Sequence, residues 1–242
     1  MNTLTKVLAS IIMAIVMMSC NFDGKFGMGV KGNGKVISKE RPLDKSFNSV
    51  KVSRGLDVYL TQSNVENLTV EADENLHELI TTIVENNQLI ISTTDNIGRS
   101  SSKKILLSFK DLSSIIATSG SDVYTTNTIQ AQDIELITTS GSDMELSINA
   151  TSISCESTSG SDLELMGKTD TFIAEASSGS SIEAEDLITV NAQVKASSGA
   201  DIVVNTSKKL TATASSGGDI RYVGSPEVLE KSDNVSGSIK SD

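Results

Sequence analysis

The chain reads Thr139-Ser-Gly-Ser-Asp-Met-Glu-Leu146, and close copies of this stretch return along its C-terminal half. The copies begin at Thr118, Thr139, Thr158, Ser177, Ser197 and Ser215. Their central glycines are residues 120, 141, 160, 179, 199 and 217, and a weaker copy surrounds Gly237. A period that drifts around twenty residues is typical of a solenoid, in which each coil buries its apolar residues against neighbouring coils.

Alternating apolar and polar residues follow each glycine turn. The position after the acidic corner residue carries Val123, Met144, Leu163, Ile182, Ile202 and Ile220. The next position carries Tyr124, Glu145, Glu164, Glu183, Val203 and Arg221. A period of two predicts strands with one face inward and the other outward. We therefore predict an all-β fold, a single-stranded β-helix of about twenty-residue coils, and a right-handed one because parallel crossovers favour that hand.

The rest of the chain predicts parts on either side of this solenoid. Residues 111–224 form the regular repeats, and residues 46–110 form an irregular β cap with the first imperfect coils. Gly55-Leu-Asp-Val58 resembles the later corners and is interpreted as one such coil. Residues 225–242 form a C-terminal cap, because the open ends of a solenoid are exposed β edges that need covering.

The N-terminus predicts export and lipidation. Residues 1–19 combine Lys6 with a short apolar run, as a signal peptide does, and Ser19 precedes Cys20 as in a bacterial lipobox. The alternative is an ordinary signal peptide with a chance cysteine. Residues 20–45, rich in glycine, are interpreted as a tether. We expect an outer-membrane lipoprotein of a Gram-negative cell envelope, held to the membrane by lipid on Cys20.

Composition excludes several classes of protein. The formal net charge of −11 disfavours nucleic acid as a partner. His77 is the only histidine and lies in a polar turn, so we interpret it as a surface residue. Besides Cys20 the only cysteine is Cys155, which predicts a buried thiol rather than a disulfide. With so few histidines and cysteines, we expect no zinc site, no other metal centre and no cofactor.

Acidic residues recur at the corners. Their members are Asp122, Asp143, Asp162, Asp201 and Asp219, with Ser181 interrupting the row. Stacked coils would align these aspartates into a column. We favour the interpretation that they are turn residues whose side chains bond their own backbone, and the alternative is a Ca²⁺-binding edge. Glu145, Glu164 and Glu183 would form a second column. Neighbouring glutamates about 5 Å apart would match the spacing of a retaining glycosidase, although solvated surface charge explains a repeated row better.

Three further stretches carry a resemblance to a known family. They are Gly32-Asn-Gly-Lys-Val36, Phe47-Asn-Ser-Val-Lys-Val-Ser-Arg-Gly-Leu-Asp-Val-Tyr-Leu60 and Val70-Glu-Ala-Asp-Glu-Asn-Leu76. Together with the Ser-Gly-Ser-Asp corners they resemble the auto-transporter adhesin, head GIN domain family of Bacteroidota envelope proteins. The resemblance implies a right-handed β-helix in an exported lipoprotein or surface protein. It supplies no catalytic residues, because none is established for that family.

These observations predict a non-catalytic, envelope-anchored binding module of adhesion type. Its Ser, Thr and Asp faces would contact glycans or proteins of the envelope or host through many weak hydrogen bonds. One alternative is a polysaccharide-active β-helix enzyme that uses Asp and Glu pairs. The other is a purely structural envelope component without a ligand of its own.

Overall fold

The structure is a computed structural model that describes residues 29–233 and 236–241. Its N-terminal strands are β1 (Val36–Arg41), β2 (Ser49–Ser53), β3 (Asp57–Gln62), β4 (Asn67–Asp73), β5 (Ile80–Glu85), β6 (Gln88–Thr93) and β7 (Lys103–Phe109). The others are β8 (Ser114–Thr118), β9 (Asp122–Thr125), β10 (Ile129–Thr139), β11 (Asp143–Thr158), β12 (Asp162–Ser177), β13 (Ser181–Ser197), β14 (Asp201–Ser215), β15 (Asp219–Val223), β16 (Val228–Asp233) and β17 (Ser238–Ser241). A short 3-10 helix spans Glu74–Leu76. The predicted signal peptide and Cys20 lie outside the described residues.

Parallel pairing between successive strands confirms the solenoid. Met144 of β11 pairs with Val123 of β9 on one side and with Leu163 of β12 on the other, and Leu163 pairs in turn with Ile182. The coils are about 19 residues long and stack into about seven turns. The inward positions therefore form continuous columns along the axis of the rod.

The corners of the coils are tight turns in which two consecutive residues adopt positive φ. Ser159 has a φ of 61° and Gly160 a φ of 66°, as a type I′ turn requires. The buried hydroxyl of Ser161 donates to the carbonyl oxygen of Thr158 at 2.8 Å and accepts from its N–H at 3.2 Å. The N–H of Gly141 donates to the carbonyl oxygen of Ser159 in the next coil at 3.2 Å. Ser121 and Ser142 close their corners in the same way, whereas at the corners before β14 and β15 Ala200 and Gly218 take this position and their backbone N–H groups donate to Ser197 and Ser215 instead.

Small and aliphatic side chains fill the narrow core. One inward column runs through Leu89, Val50, Ile115, Leu136, Cys155, Ala174, Val194 and Ala212, all of them buried. Cys155 is a free, buried thiol, as predicted, and its burial raises the pKa well above the ordinary value. Val203 lies at an outward position but is buried, between the longer side chains of Glu183 and Arg221 in its column.

The first coil along the chain is not the first coil in space. Strand β2 lies between β6 and β8, and β3 lies between β7 and β9. Val58 aligns in register with Val123, so the segment that the sequence predicts as irregular is a regular coil. The outer cover consists of antiparallel strands instead: β5 pairs with β6, β4 with β7, and β1 with β4.

Part of the predicted tether is packed onto this cover. Strand β1 falls within residues 20–45, and Val30 forms a bridge with Ile97. Asp73, which is buried, accepts from the N–H groups of Gly34, Ser101 and Ser102. Desolvation raises the pKa of this carboxyl, but the backbone donors outweigh it and hold the pKa below its ordinary value. Asp73 therefore links the N-terminal segment at Gly34 to the loop before β7 at Ser101 and Ser102, and we call this set of hydrogen bonds the clasp.

The prediction that His77 is a surface residue is wrong. Its side chain is 2% exposed, and its Nε2 lies 3.1 Å from the carbonyl oxygen of Ile37. Arg41 donates to the carbonyl oxygen of His77 at 2.6 Å. Strand β1 covers the turn because it pairs with β4, from Val36 with Asp73 to Arg41 with Leu68. The polar local sequence does not indicate this long-range contact.

The C-terminal segment continues the solenoid. Strand β16 pairs in parallel with β14, and β17 with β15, so the expected cap is one more coil. Lys231 occupies the inward position above Ala212. Its Nζ lies 4.7 Å from the centroid of the Tyr222 ring and 3.5 Å from the carbonyl oxygen of Ile239. Lys231 is exposed, and a charged side chain on the last described coil disfavours the addition of another strand.

Leu163→Asp tests the inward columns. It would place an unpaired charge between Met144 and Ile182, and we expect the free energy of unfolding to fall by about 3 kcal/mol or more. Denaturant unfolding measures it. Ile173→Asp, on the outward side of β12 where the side chain is 39% exposed, is the control and should cost far less. Equal losses in the two variants would contradict the inward assignment of Leu163.

Asp73→Asn tests the clasp through its pH dependence. Because the folded-state pKa is lowered, the stability that Asp73 contributes is present above the ordinary carboxyl pKa and is lost as the pH falls through the lowered value. We expect the variant to melt below wild type at neutral pH and the difference to shrink in acid. Glu74→Gln, which removes an exposed ion pair with Lys35, is the control and should change the melting temperature little. A difference that is constant with pH would count against the clasp.

Candidate functional site

One face of the rod carries two neighbouring columns of mainly acidic side chains, and we call it the acidic face. It is built from the outward positions of the strand segment that follows each corner. Its first column holds Asp57, Asp122, Asp143, Asp162, Ser181, Asp201 and Asp219, in register. Its second column holds Tyr59, Tyr124, Glu145, Glu164 and Glu183. The structure thus brings together the predicted aspartates, and Asp57 extends their row by one coil.

Burial and like charge raise the pKa of several carboxyls on this face. Desolvation is the largest cause at Asp122, where Asp57 and Asp143 add repulsion. Desolvation also leads at Asp162 and Glu164, and neighbouring carboxylates reinforce it, Glu183 acting on both. These three carboxyls therefore hold their protons more tightly than isolated carboxyls do, and a cation placed beside them would be stabilised.

Two tyrosines form an aromatic platform at the N-terminal end of the acidic face. The rings of Tyr59 and Tyr124 are stacked, with centroids 5.2 Å apart and planes 24° apart. Lys104 places its Nζ 5.7 Å from the centroid of the Tyr59 ring. Sequence reasoning missed this pair. A signal was present in the sequence, since Asp-Val-Tyr occurs at residues 57–59 and again at residues 122–124.

An open groove of about 410 Å³ lies on the acidic face beside this platform. Tyr124 closes one end of it, and its lining includes Asp143, Glu145, Asp162, Glu164, Ser181 and Glu183. The aromatic ring offers an apolar stacking surface, and the carboxylates accept hydrogen bonds. This arrangement can hold a ligand that presents donors or positive charge to the rod.

The acidic face does not contain a metal centre in the part of the chain that the structure describes. There, no group of three or more His, Cys, Asp or Glu side chains is placed to hold a metal ion. The Ca²⁺ alternative thus gains no support. The glutamates form a row of three similar residues, Glu145, Glu164 and Glu183, as expected for a surface column.

A second groove, of about 400 Å³, runs along another face. We call it the neutral groove, because its lining carries a single ammonium, Lys168, and a single carboxylate, Asp170. One wall is the in-register row Gln130, Asn149, Lys168 and Ile188. The remaining lining residues are Ala131, Ala150, Thr151, Thr169 and Val190. Sequence reasoning missed it, because this part of each coil lacks the strict repeat of the corners.

The family model described as "Putative auto-transporter adhesin, head GIN domain" matches residues 46–226. The chain belongs to this family. The match includes the described coils from β2 to β15 and both columns of the acidic face. The resemblance that the front signature and the corners suggested is therefore confirmed.

Solved structures share the fold at low sequence identity. A "putative adhesin" from Bacteroides fragilis NCTC 9343 superposes with a TM-score of 0.82 and 22% identity, covering 88% of this chain and all 100% of its own. A "Putative lipid binding protein" from Parabacteroides distasonis ATCC 8503 superposes with a TM-score of 0.71 and 20% identity, covering 88% and 99%. A search of curated proteins finds no match. Within the described ranges, no helix has the length and hydrophobicity of a membrane span.

Asp162→Asn tests the electrostatics of the acidic face. Since the folded-state pKa of Asp162 is raised, its ionisation opposes folding once the pH rises above the ordinary carboxyl value. We expect the variant to melt slightly above wild type at neutral pH, by on the order of 1 °C, and to lose this advantage in acid. Added Ca²⁺ should raise the melting temperature of wild type no more than Mg²⁺ at equal ionic strength. A rise specific to Ca²⁺ that Asp162→Asn abolishes would restore the calcium alternative.

Proposed function

We propose that this protein is a non-catalytic binding module of adhesion type whose contact surface is the acidic face. The observation that carries the proposal is the in-register alignment of Asp122, Asp143, Asp162, Asp201 and Asp219 beside a stacked pair of tyrosines. A flat row of acceptors repeated at about 4.8 Å suits a long partner that makes many similar contacts. Membership in a family described as adhesins supports the same function.

The partner of the acidic face would carry positive charge or many hydrogen-bond donors. Amine-bearing glycans and basic segments of envelope or host proteins have this chemistry. Electrostatic attraction to stacked carboxylates is screened by salt, so binding through this face would weaken as ionic strength rises. Tyr59 and Tyr124 would add a stacking contact that salt does not screen.

Glycan hydrolysis by the glutamate column is the alternative function, and the arrangement of the glutamates does not favour it. A glycosidase needs one carboxyl that acts as acid and another that acts as base or nucleophile. Glu145, Glu164 and Glu183 instead repeat one environment along the rod, and their groove is open to solvent. Incubation of the protein with common polysaccharides, followed by detection of new reducing ends, should give no signal. Hydrolysis that Glu164→Gln abolishes would overturn the non-catalytic assignment.

Lipid on Cys20 would display the rod on the cell envelope. The support is the short apolar run of residues 7–18 ahead of Ser19 and Cys20. We expect metabolic labelling with a palmitate analogue to mark wild type but not Cys20→Ser. Protease shaving of intact cells then separates surface display from a periplasmic position. Labelling that persists in Cys20→Ser would refute lipidation at this residue.

Paired charge substitutions test the binding function. Asp143→Asn/Asp162→Asn neutralises two neighbouring carboxylates of the acidic face, and Glu156→Gln/Glu175→Gln neutralises two neighbouring carboxylates on a different face. The probes are a chitosan oligomer and oligolysine, measured by calorimetry at two salt concentrations. We expect salt-sensitive binding that the first pair weakens at least about tenfold and the second leaves nearly unchanged. Failure of both probes to bind, or equal effects of the two pairs, would count against the acidic face as the contact surface.

A further inference from the structure

Three polar side chains of the neutral groove have no partner among the described residues. Within the described residues, neither the side-chain amide of Asn149, the ammonium of Lys168 nor the carboxylate of Asp170 makes a hydrogen bond or ion pair. Lys168 and Asp170 are both exposed. Three different polar groups are therefore available to a ligand along one groove.

The backbone beneath these side chains is already paired. Gln130, Asn149, Lys168 and Ile188 follow one another in the parallel ladder of β10, β11, β12 and β13. An extended peptide that binds by adding a strand needs a free backbone edge, which this stretch does not offer. A ligand of the neutral groove must be recognised by side chains alone.

The lining matches a ligand with hydroxyls and an apolar face. Amides such as Gln130 and Asn149 both donate and accept hydrogen bonds, as sugar hydroxyls do. Ile188 is 63% exposed at the end of their row and offers the apolar contact that the C–H face of a pyranose ring makes. One cation and one anion in the lining leave no net charge to attract an ionic polymer, in contrast to the acidic face.

The row of Gln130, Asn149, Lys168 and Ile188 runs along the rod axis and therefore favours a linear ligand. Successive coils place equivalent side chains about 4.8 Å apart along the axis, which is close to the advance of one sugar in an extended β-linked chain. A groove of about 400 Å³ lies at the lower end of the range of small-ligand sites, enough for a short segment of such a chain.

We propose that the neutral groove binds an uncharged, linear oligosaccharide along the rod axis, with Asn149 and Lys168 as its main polar contacts. This inference rests on the proposed binding function and adds to it a second site with its own ligand class. The two surfaces differ in charge, so their ligands are separable: donors or cations for the acidic face, and neutral glycans for the groove.

The test compares three hexasaccharides on the purified protein by calorimetry and by amide chemical shifts. Cellohexaose and maltohexaose are the neutral probes, and hexagalacturonate is the anionic one. We expect cellohexaose to bind, with shifts confined to β10 through β13 at residues of the groove, and the curled, α-linked maltohexaose and the charged hexagalacturonate to bind more weakly. Absence of cellohexaose binding, or tighter binding of maltohexaose, would overturn the inference.

Matched variants locate the site. Asn149→Ala/Lys168→Ala removes one amide and one ammonium from the groove, and Gln193→Ala/Lys195→Ala removes the same groups from outward positions on a different face of the rod. We expect the first pair to weaken binding of the neutral probe at least about tenfold and to leave chitosan binding unchanged. The second pair should leave both unchanged. Equal losses in the two pairs would overturn the groove assignment, whereas loss of chitosan binding in Asp143→Asn/Asp162→Asn reports on the acidic face alone.

Discussion

The structure depends on corners that stack one directly above another. Each corner places two consecutive residues at positive φ, a serine and a glycine in the repeats and Arg54 and Gly55 between β2 and β3. The glycine N–H donates to a carbonyl oxygen of the adjacent corner. Because side chains alternate with a period of two, this alignment decides at once which residues enter the core and which face solvent. A slip of one residue would turn Leu163 outward and Glu164 inward. The acidic face is therefore a direct product of the same geometry that builds the core.

That geometry also has an electrostatic cost. Stacking in register sets like charges beside one another; desolvation is the main cause of the raised pKa values of Asp122, Asp162 and Glu164, and repulsion between these neighbouring carboxylates adds to it. Cross-strand repulsion of this kind opposes folding, and the hydrogen-bonded ladder and buried columns outweigh it. The wall of the neutral groove, which is Gln130, Asn149, Lys168 and Ile188, shows that the same coils also carry an outward row without repeated like charges. The acidic row is thus a feature of one face rather than a necessity of the fold.

The repeat was enough to predict the coils, the inward columns from Val123 to Ile220, the aspartate row and the burial of Cys155. It could not predict that β2 lies between β6 and β8, because stacking order is decided by long-range pairing that local patterns do not encode. His77 was misplaced for the same reason, since a distant strand covers it. The sequence does not predict the neutral groove, because the residues that line it differ from coil to coil. The duplicated Asp-Val-Tyr indicates two equivalent tyrosines. That their rings stack on each other follows only from the spatial order of the coils.

The lysine at position 231 has a consequence for the length of the molecule. It places an exposed charge on the last described coil, beside the Tyr222 ring, so a side chain of the coil itself marks this end of the ladder. Whole coils could therefore be gained or lost between the two ends by duplication or deletion of one repeat, each changing the reach of the rod by about 4.8 Å. Rods of different length could arise in this way while the register of the remaining coils stays unchanged.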